Sequence, residues 1–287
     1  MPKDILQLIQ SNMASFSKGQ KRIAAFIQES YDKAAFMTAS KLGKTVNVSE
    51  STVVRFAAEL GYDGYPAMQK ALQEMIRSKL TSIQRIEVTN DRIGDQDVLS
   101  MVMQSDIEKI RMTMEEIDRD DFSGAVDAIV QAKRIYILGV RSSVALTSFL
   151  GFYFNLIFDN VVQVHSNSAS EMFEQLIRVE EGDVVIGASF PRYSRRTVQA
   201  LRFAQDRKAT VIAITDSAAS PLAASATHTL LAKSDMASFV DSLVAPLSMI
   251  NALIVAVSRK KKEDLSRTFE TLEKIWDEYE VYEKVDS

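Results

Sequence analysis

The 287-residue chain has no cysteine. Disulfides, thiolate metal sites and a cysteine nucleophile are therefore excluded, and a reducing compartment poses no difficulty. Its only histidines are His165 and His228. Neither has a partner at metal-ligand spacing, so no metal or cofactor is expected. Five prolines and ten glycines leave little room for low-complexity linkers. The N-terminus is polar almost from its start and does not read as a signal peptide. The most apolar run, 239–257, is interrupted by Asp241, Ser242, Pro246, Ser248 and Asn251. It reads as a buried helix rather than a membrane span. What is left fits a cytoplasmic globular protein, long enough for two domains with separate cores.

Charge is unevenly shared. Up to Leu80 there are 11 Lys and Arg against 7 Asp and Glu, whereas the whole chain has a net charge of −4. A basic head on an acidic body suits contact with a phosphate backbone through the head alone. Within that head lies the most informative stretch, TASKLGKTVNVSESTVVRFAAEL, Thr38 to Leu60. It reads as two short helices joined by a tight turn. Leu42 and Val46 give the first an apolar side; Val53, Val54, Phe56 and Leu60 do so for the second. Asn47 tolerates the left-handed backbone such a turn needs, and Ser49 or Ser51 can cap the second helix. The start of that helix is small and polar, as in a recognition helix of a helix-turn-helix. Ser49, Ser51, Thr52 and Arg55 are the candidate base contacts, with Lys41 and Lys44 on phosphates.

Residues 1–80 read as all-α. Leu6, Ile9, Met13 and Phe16 recur at helical spacing, as do Ile23, Phe26 and Ile27. Gly61 to Pro66 is a turn cluster preceding a helix over 67–79. The polar stretch 81–97 reads as a linker, followed by a long helix over 98–117 and a short one over 122–132. Strands then alternate with helices: 134–140, 160–164, 183–188, 210–215 and a weaker 228–232. This pattern predicts an α/β three-layer domain over 98–287 around a parallel, flavodoxin-like sheet. Two helices, 239–259 and 262–279, close the chain.

In such sheets ligands sit beyond the carboxyl ends of the strands, where helix N-termini point their amides. Two strand-to-helix loops are rich in groups that hold anionic oxygens. One is Gly139-Val140-Arg141-Ser142-Ser143. The other runs from Ser189 through Phe190, Pro191, Arg192, Tyr193, Ser194, Arg195 and Arg196 to Thr197. Arginine forks match phosphate and carboxylate in pairs. The plain alternative is that the hydroxyls cap helices and the arginines face solvent.

With these residues in hand, the chain resembles the RpiR-type bacterial regulators, a helix-turn-helix domain followed by a SIS (sugar-isomerase-like) domain. The resemblance rests on Lys41 to Gln69 and on the two loops. It implies operator DNA and a phosphosugar effector as partners, and a homodimer or homotetramer. The family's first loop is usually G-x-G-x-S; Gly139 and Ser143 fit, but Arg141 replaces the second glycine. Its second is usually S-x-S-G-x-T; Ser189 fits, Pro191 and Arg192 replace Ser-Gly, and Ser194 replaces threonine. The added cations favour an effector more anionic than a neutral sugar monophosphate. SIS isomerases resembling this domain carry a glutamate on the helix before the second loop. Glu171 matches that place, where it would bond ring hydroxyls or simply favour the helix dipole. The expected effector set is therefore Gly139, Arg141, Ser142, Ser143, Glu171, Ser189 and Arg192 to Thr197. The reading is a regulator of sugar or sugar-acid catabolism, not an enzyme. The rival is a sugar-phosphate isomerase with Glu171 as base; a third reading is a phosphosugar sensor acting through a protein.

Overall fold

The computed structural model describes residues 5–79, 81–93, 97–165, 168–234 and 240–283. Contacts divide the chain into two units, 1–104 with 235–241, and 105–234 with 242–287. The expected boundary at residue 80 and residues 94–96 of the expected linker lie outside the described residues.

The first unit is helical throughout: α1 (Ile5–Asn12), α2 (Lys18–Glu29), α3 (Tyr31–Ala34), α4 (Ala39–Thr45), α5 (Glu50–Glu59), α6 (Gly64–Lys79) and α7 (Ser82–Ile93). Ser17 opens α2 with a capping box: its hydroxyl accepts from the Gln20 amide while the Gln20 side chain accepts from the Ser17 amide. Ile23, Leu42, Val53, Phe56 and Leu72 are fully buried in one core, with the rings of Phe16 and Phe56 5.0 Å apart. Tyr65 anchors α6 by donating its hydroxyl to the Met37 carbonyl at 2.7 Å. Burial pushes that phenol up to about 12. The helix α6 starts at Gly64, earlier than the expected 67, so Pro66 lies in its first turn, where a missing N–H costs nothing. Within the stretch read as a linker, residues 82–93 are helical.

The unit boundary falls inside α8 (Val98–Glu116). The second unit continues with α9 (Arg119–Gln131), β1 (Ile135–Gly139), α10 (Ser143–Ile157), β2 (Val161–Val164), α11 (Ala169–Leu176), β3 (Val184–Ala188), α12 (Arg195–Asp206), β4 (Thr210–Thr215), β5 (His228–Leu231), α13 (Val244–Lys260) and α14 (Lys262–Glu278). The expected start of α13 at Phe239 lies outside the described residues, and 240–243 precede the helix.

All five strands are parallel, in the order β2-β1-β3-β4-β5. Every residue of β1 and β3 is buried, which explains their uninterrupted apolar runs. Successive side chains serve opposite faces. Ile135 and Ile137 join the core formed with α9, α10 and α13, whereas Tyr136 and Leu138 join the one formed with α11 and α12. The result is three layers. The edge strand β5 is held by Asp121 in the first turn of α9. Its carboxylate accepts from the Thr229 amide and bonds His228 Nδ1, each at 3.1 Å. A side chain at Gly124 would strike the His228 ring, 2.4 Å from its nearest atom. His228 is thereby a docking residue of the sheet edge. Among the described residues, no helix is long and apolar enough to cross a membrane.

Candidate functional site

The turn between α4 and α5 is made by backbone chemistry that the sequence encodes directly. Thr38 caps α4, its hydroxyl accepting from the Lys41 amide. Asn47 follows α4 at φ 55°, in the left-handed region. The amide of Val48 returns to the Gly43 carbonyl at 2.8 Å. A Cβ on Gly43 would come within 2.9 Å of the Val48 carbonyl oxygen, so glycine is required for this close approach.

Ser49, not Ser51, caps α5, accepting from the Thr52 amide at 3.3 Å. Its hydroxyl also lies 2.9 Å from Ser51 Oγ and 2.8 Å from Thr52 Oγ1. Arg55 Nε donates to the Ser51 carbonyl at 3.3 Å, which lays the guanidinium along the helix. Ser49, Ser51, Arg55, Lys41 and Lys44 are exposed. Thr52 is half-buried; its methyl carbon is 3.5 Å from where a Cβ would stand at Gly19 of α2. One expectation fails here. Val54 is 42% exposed, not part of the buried side. On a helix, positions 51, 54, 55 and 58 share a face, so Val54 joins Ser51 and Arg55 on the outer surface. The signal was present: Val53 and Val54 are adjacent, and only one of two neighbours on a helix can face the core.

In the second unit, the strand order reverses direction between β1 and β3, the topological switch point of this sheet. Gly139 pairs with Ala188 in register, so the two expected loops leave the same sheet edge on adjacent strands. In the first loop, Arg141 has φ 60°, where a glycine is unstrained and an arginine is not. A Cβ on Gly139 would meet the Ser143 carbonyl oxygen at 2.8 Å and Thr147 at 2.9 Å. Ser142 stands at the start of α10 and makes no side-chain cap bond there, and Ser143 is buried.

The second loop is braced from within. Buried Ser189 accepts from the Ser194 amide at 3.0 Å, and Ser194 caps α12 by accepting from the Thr197 amide at 3.4 Å. Tyr193 donates its hydroxyl to Asp216, a buried carboxylate just past β4, at 2.9 Å. Thr197 Oγ1 is fully buried and has no hydrogen-bond partner among the described residues. Arg192 and Arg195 are exposed and Arg196 half-buried. Cations and helix-start amides therefore gather beyond β1 and β3. Glu171 is exposed in the first turn of α11, its amide held by the Ser168 hydroxyl at 3.1 Å. It follows the edge strand β2. Asp216, which sequence reasoning marked only as possibly facing the cleft, is the residue whose role the geometry enlarges.

A family model for the helix-turn-helix domain of the rpiR family matches residues 3–79, and one for the SIS domain matches 128–256. The chain belongs to the RpiR-type regulators. Among similar proteins, the HTH-type transcriptional regulator HexR of Escherichia coli (strain K12) is 26% identical, over 94% of this chain and 94% of its own. The sugar isomerase domain of an RpiR transcription factor from Sphaerobacter thermophilus is 27% identical with a TM-score of 0.60, over 62% of this RpiR-type chain and 99% of that one. The Vibrio vulnificus NanR protein, complexed with ManNAc-6P, is 24% identical with a TM-score of 0.59, over 94% and 97%.

Proposed function

We propose that this RpiR-type protein is a cytoplasmic, DNA-binding transcriptional regulator of sugar or sugar-acid catabolism. The head, 1–80, binds one operator half-site; the linker spans 81–97; the SIS domain, 98–287, holds the effector. Ser51 and Arg55 read base edges and Val54 offers an apolar contact to a thymine methyl. Ser49 and Thr52 act chiefly by fixing the helix start, and Lys41 and Lys44 contact phosphates. A homodimer or homotetramer would present paired heads to a palindromic site.

The observation that carries the effector reading is the placing of both loops on adjacent strands at the switch point, with Arg141, Arg192, Arg195 and Arg196 in them. Four guanidinium groups suit a ligand with more than one anionic group, a phosphosugar acid or a doubly phosphorylated sugar. Thr197, with its buried unmatched hydroxyl, and Ser142 would complete the oxygen contacts. The crystal neighbour NanR holds a sugar phosphate, which supports the class and not the compound. Ligand and DNA are coupled only if the effector binds the DNA-competent state with a different affinity. The protein has no enzymatic role in this reading, and Glu171 bonds ring hydroxyls.

The test is an anisotropy titration of the full chain on its own upstream intergenic DNA, at two salt concentrations, with a panel of phosphosugars and phosphosugar acids. Tight, salt-sensitive binding altered by one compound is expected. No specific binding in any condition, with isomerase turnover lost in Glu171→Gln, would replace the regulator by the enzyme.

A further inference from the structure

The helix α14 is strongly amphipathic, yet none of its residues is buried. Leu265, Phe269, Leu272, Trp276 and Tyr279 follow one another at steps of four and three, the spacing of a helix-pairing seam. Leu265 packs on the core of the second unit. Beyond it the seam rises to the surface: Phe269, Leu272 and Trp276 are only half-buried and Tyr279 is 70% exposed. At the end of α14, Glu280 takes φ 49° and the chain doubles back, setting Tyr282 against Trp276 with ring centroids 5.3 Å apart. Trp276 also meets Phe269, at 6.2 Å. A linked aromatic cluster thus lies open on a helix that gains little from its own fold. Its neighbour α10 has the same defect. That helix is apolar on both sides, and Phe152 and Tyr153 point outward, 61% and 37% exposed. A helix that is hydrophobic all round belongs inside something.

Charge says what covers this surface. Between 259 and 267 there are five Lys or Arg against two carboxylates; between 270 and 283 there are six carboxylates against Lys274 alone. The carboxylates therefore crowd the C-terminal end of α14, where the helix dipole disfavours them, and no basic residue stands in its last turn. Lys260 and Lys261 are engaged by Asp127 and Asp264. Arg259, Lys262, Glu278 and Glu280 make no ion pair among the described residues. A basic start and an acidic end on one helix are self-complementary only when two copies run in opposite directions.

We propose that α14 is a self-association helix that pairs antiparallel, about a two-fold axis near Leu272, with α14 of a second copy of this chain. The axis lays Phe269 beside the second copy's Trp276 and Leu265 beside its Tyr279. It brings Lys262 of each copy to the acidic end of the other, the reciprocity of an isologous contact. The helix is about 25 Å long, and the exposed aromatics of α10 extend the buried area alongside it. The proposal rests on the homo-oligomeric reading above and names its surface.

The test is sedimentation velocity of the full chain across a concentration series, with circular dichroism melting as the check on folding. Wild type is expected at twice 32.0 kDa. Phe269→Asp should weaken dimerisation at least about a hundredfold, because a charge would enter the centre of the seam. Two charge variants, R259E/K262E and E278K/E280K, should each weaken it at least about tenfold, since both junctions then become repulsive. Mixed together they should recover the wild-type dimer, because each supplies the charge the other now needs. Variants that dimerise as wild type does, or a mixture no stronger than its components, would overturn the antiparallel pairing while leaving the oligomer intact. A wild type that stays monomeric would overturn both.

Discussion

Asn47 and Arg141 both hold a left-handed backbone, and they do so at different cost. Asn47 belongs there: its side chain tolerates the conformation, and the turn that aims α5 depends on it. Replacing it with the β-branched valine should destabilise the protein by about 1–2 kcal/mol and lower DNA affinity, whereas Asn47→Gly should leave stability nearly unchanged. Urea unfolding compares the three. Arg141 is the opposite case, a long side chain where related proteins carry glycine. Arg141→Gly should stabilise the fold by about 1 kcal/mol and weaken effector binding at the same time. Stabilisation without loss of affinity in calorimetric titration would remove Arg141 from the site. Tyr65 supplies a pH signature. Its phenol is pushed from 10.0 to about 12 by burial, so the folded state holds this proton longer than the unfolded one. That contribution is fully present below pH 10.0 and is lost as pH rises toward about 12. Tyr65→Phe should flatten the fall in stability across this alkaline window, read by urea unfolding on either side of its lower bound.

At the scale of elements, the recognition helix separates structural from contacting groups. The hydroxyl of Ser49 is committed to the cap and to its two hydroxyl neighbours. Ser49→Ala should cost about 1 kcal/mol of stability and reduce binding to all DNA sequences alike. Arg55→Ala should leave the melting temperature unchanged but weaken operator binding by about 1–3 kcal/mol and relax its sequence preference. Competition titration with altered half-sites reads the difference. The same helix shows what was legible in the sequence and what was not. The turn was readable because Gly43, Asn47 and Ser49 carry their reasons locally. The outward placing of Val54 was not, because apolar periodicity names a face but not which of two adjacent valines occupies it. The strands were readable for a similar reason, as runs buried on both sides have no polar interruptions. The weak fifth strand drew its stability from Asp121, over a hundred residues earlier in the chain, and no local pattern announces that. The effector loops were legible by composition, while the brace from Tyr193 to Asp216 joins residues that only the topology brings together.

For the molecule as a whole, the sheet is unequal across its width. The strands β1 and β3 are buried at every position, while β2 is half-exposed along most of its length and β5 is held at an edge. Amide hydrogen exchange followed by mass spectrometry should therefore find β1 and β3 the slowest segments, opening only with the whole second unit, and β2 and β5 markedly faster. Uniform protection across the five strands would contradict this ranking. The two loops that carry the arginines leave from the slow pair. Each loop can rearrange around a ligand, yet its root stays fixed until the domain melts. Any compound gripped there is then released by local breathing of the loops rather than by loss of the sheet. Its residence time should follow loop motion and be nearly indifferent to mutations that merely loosen β2 or β5.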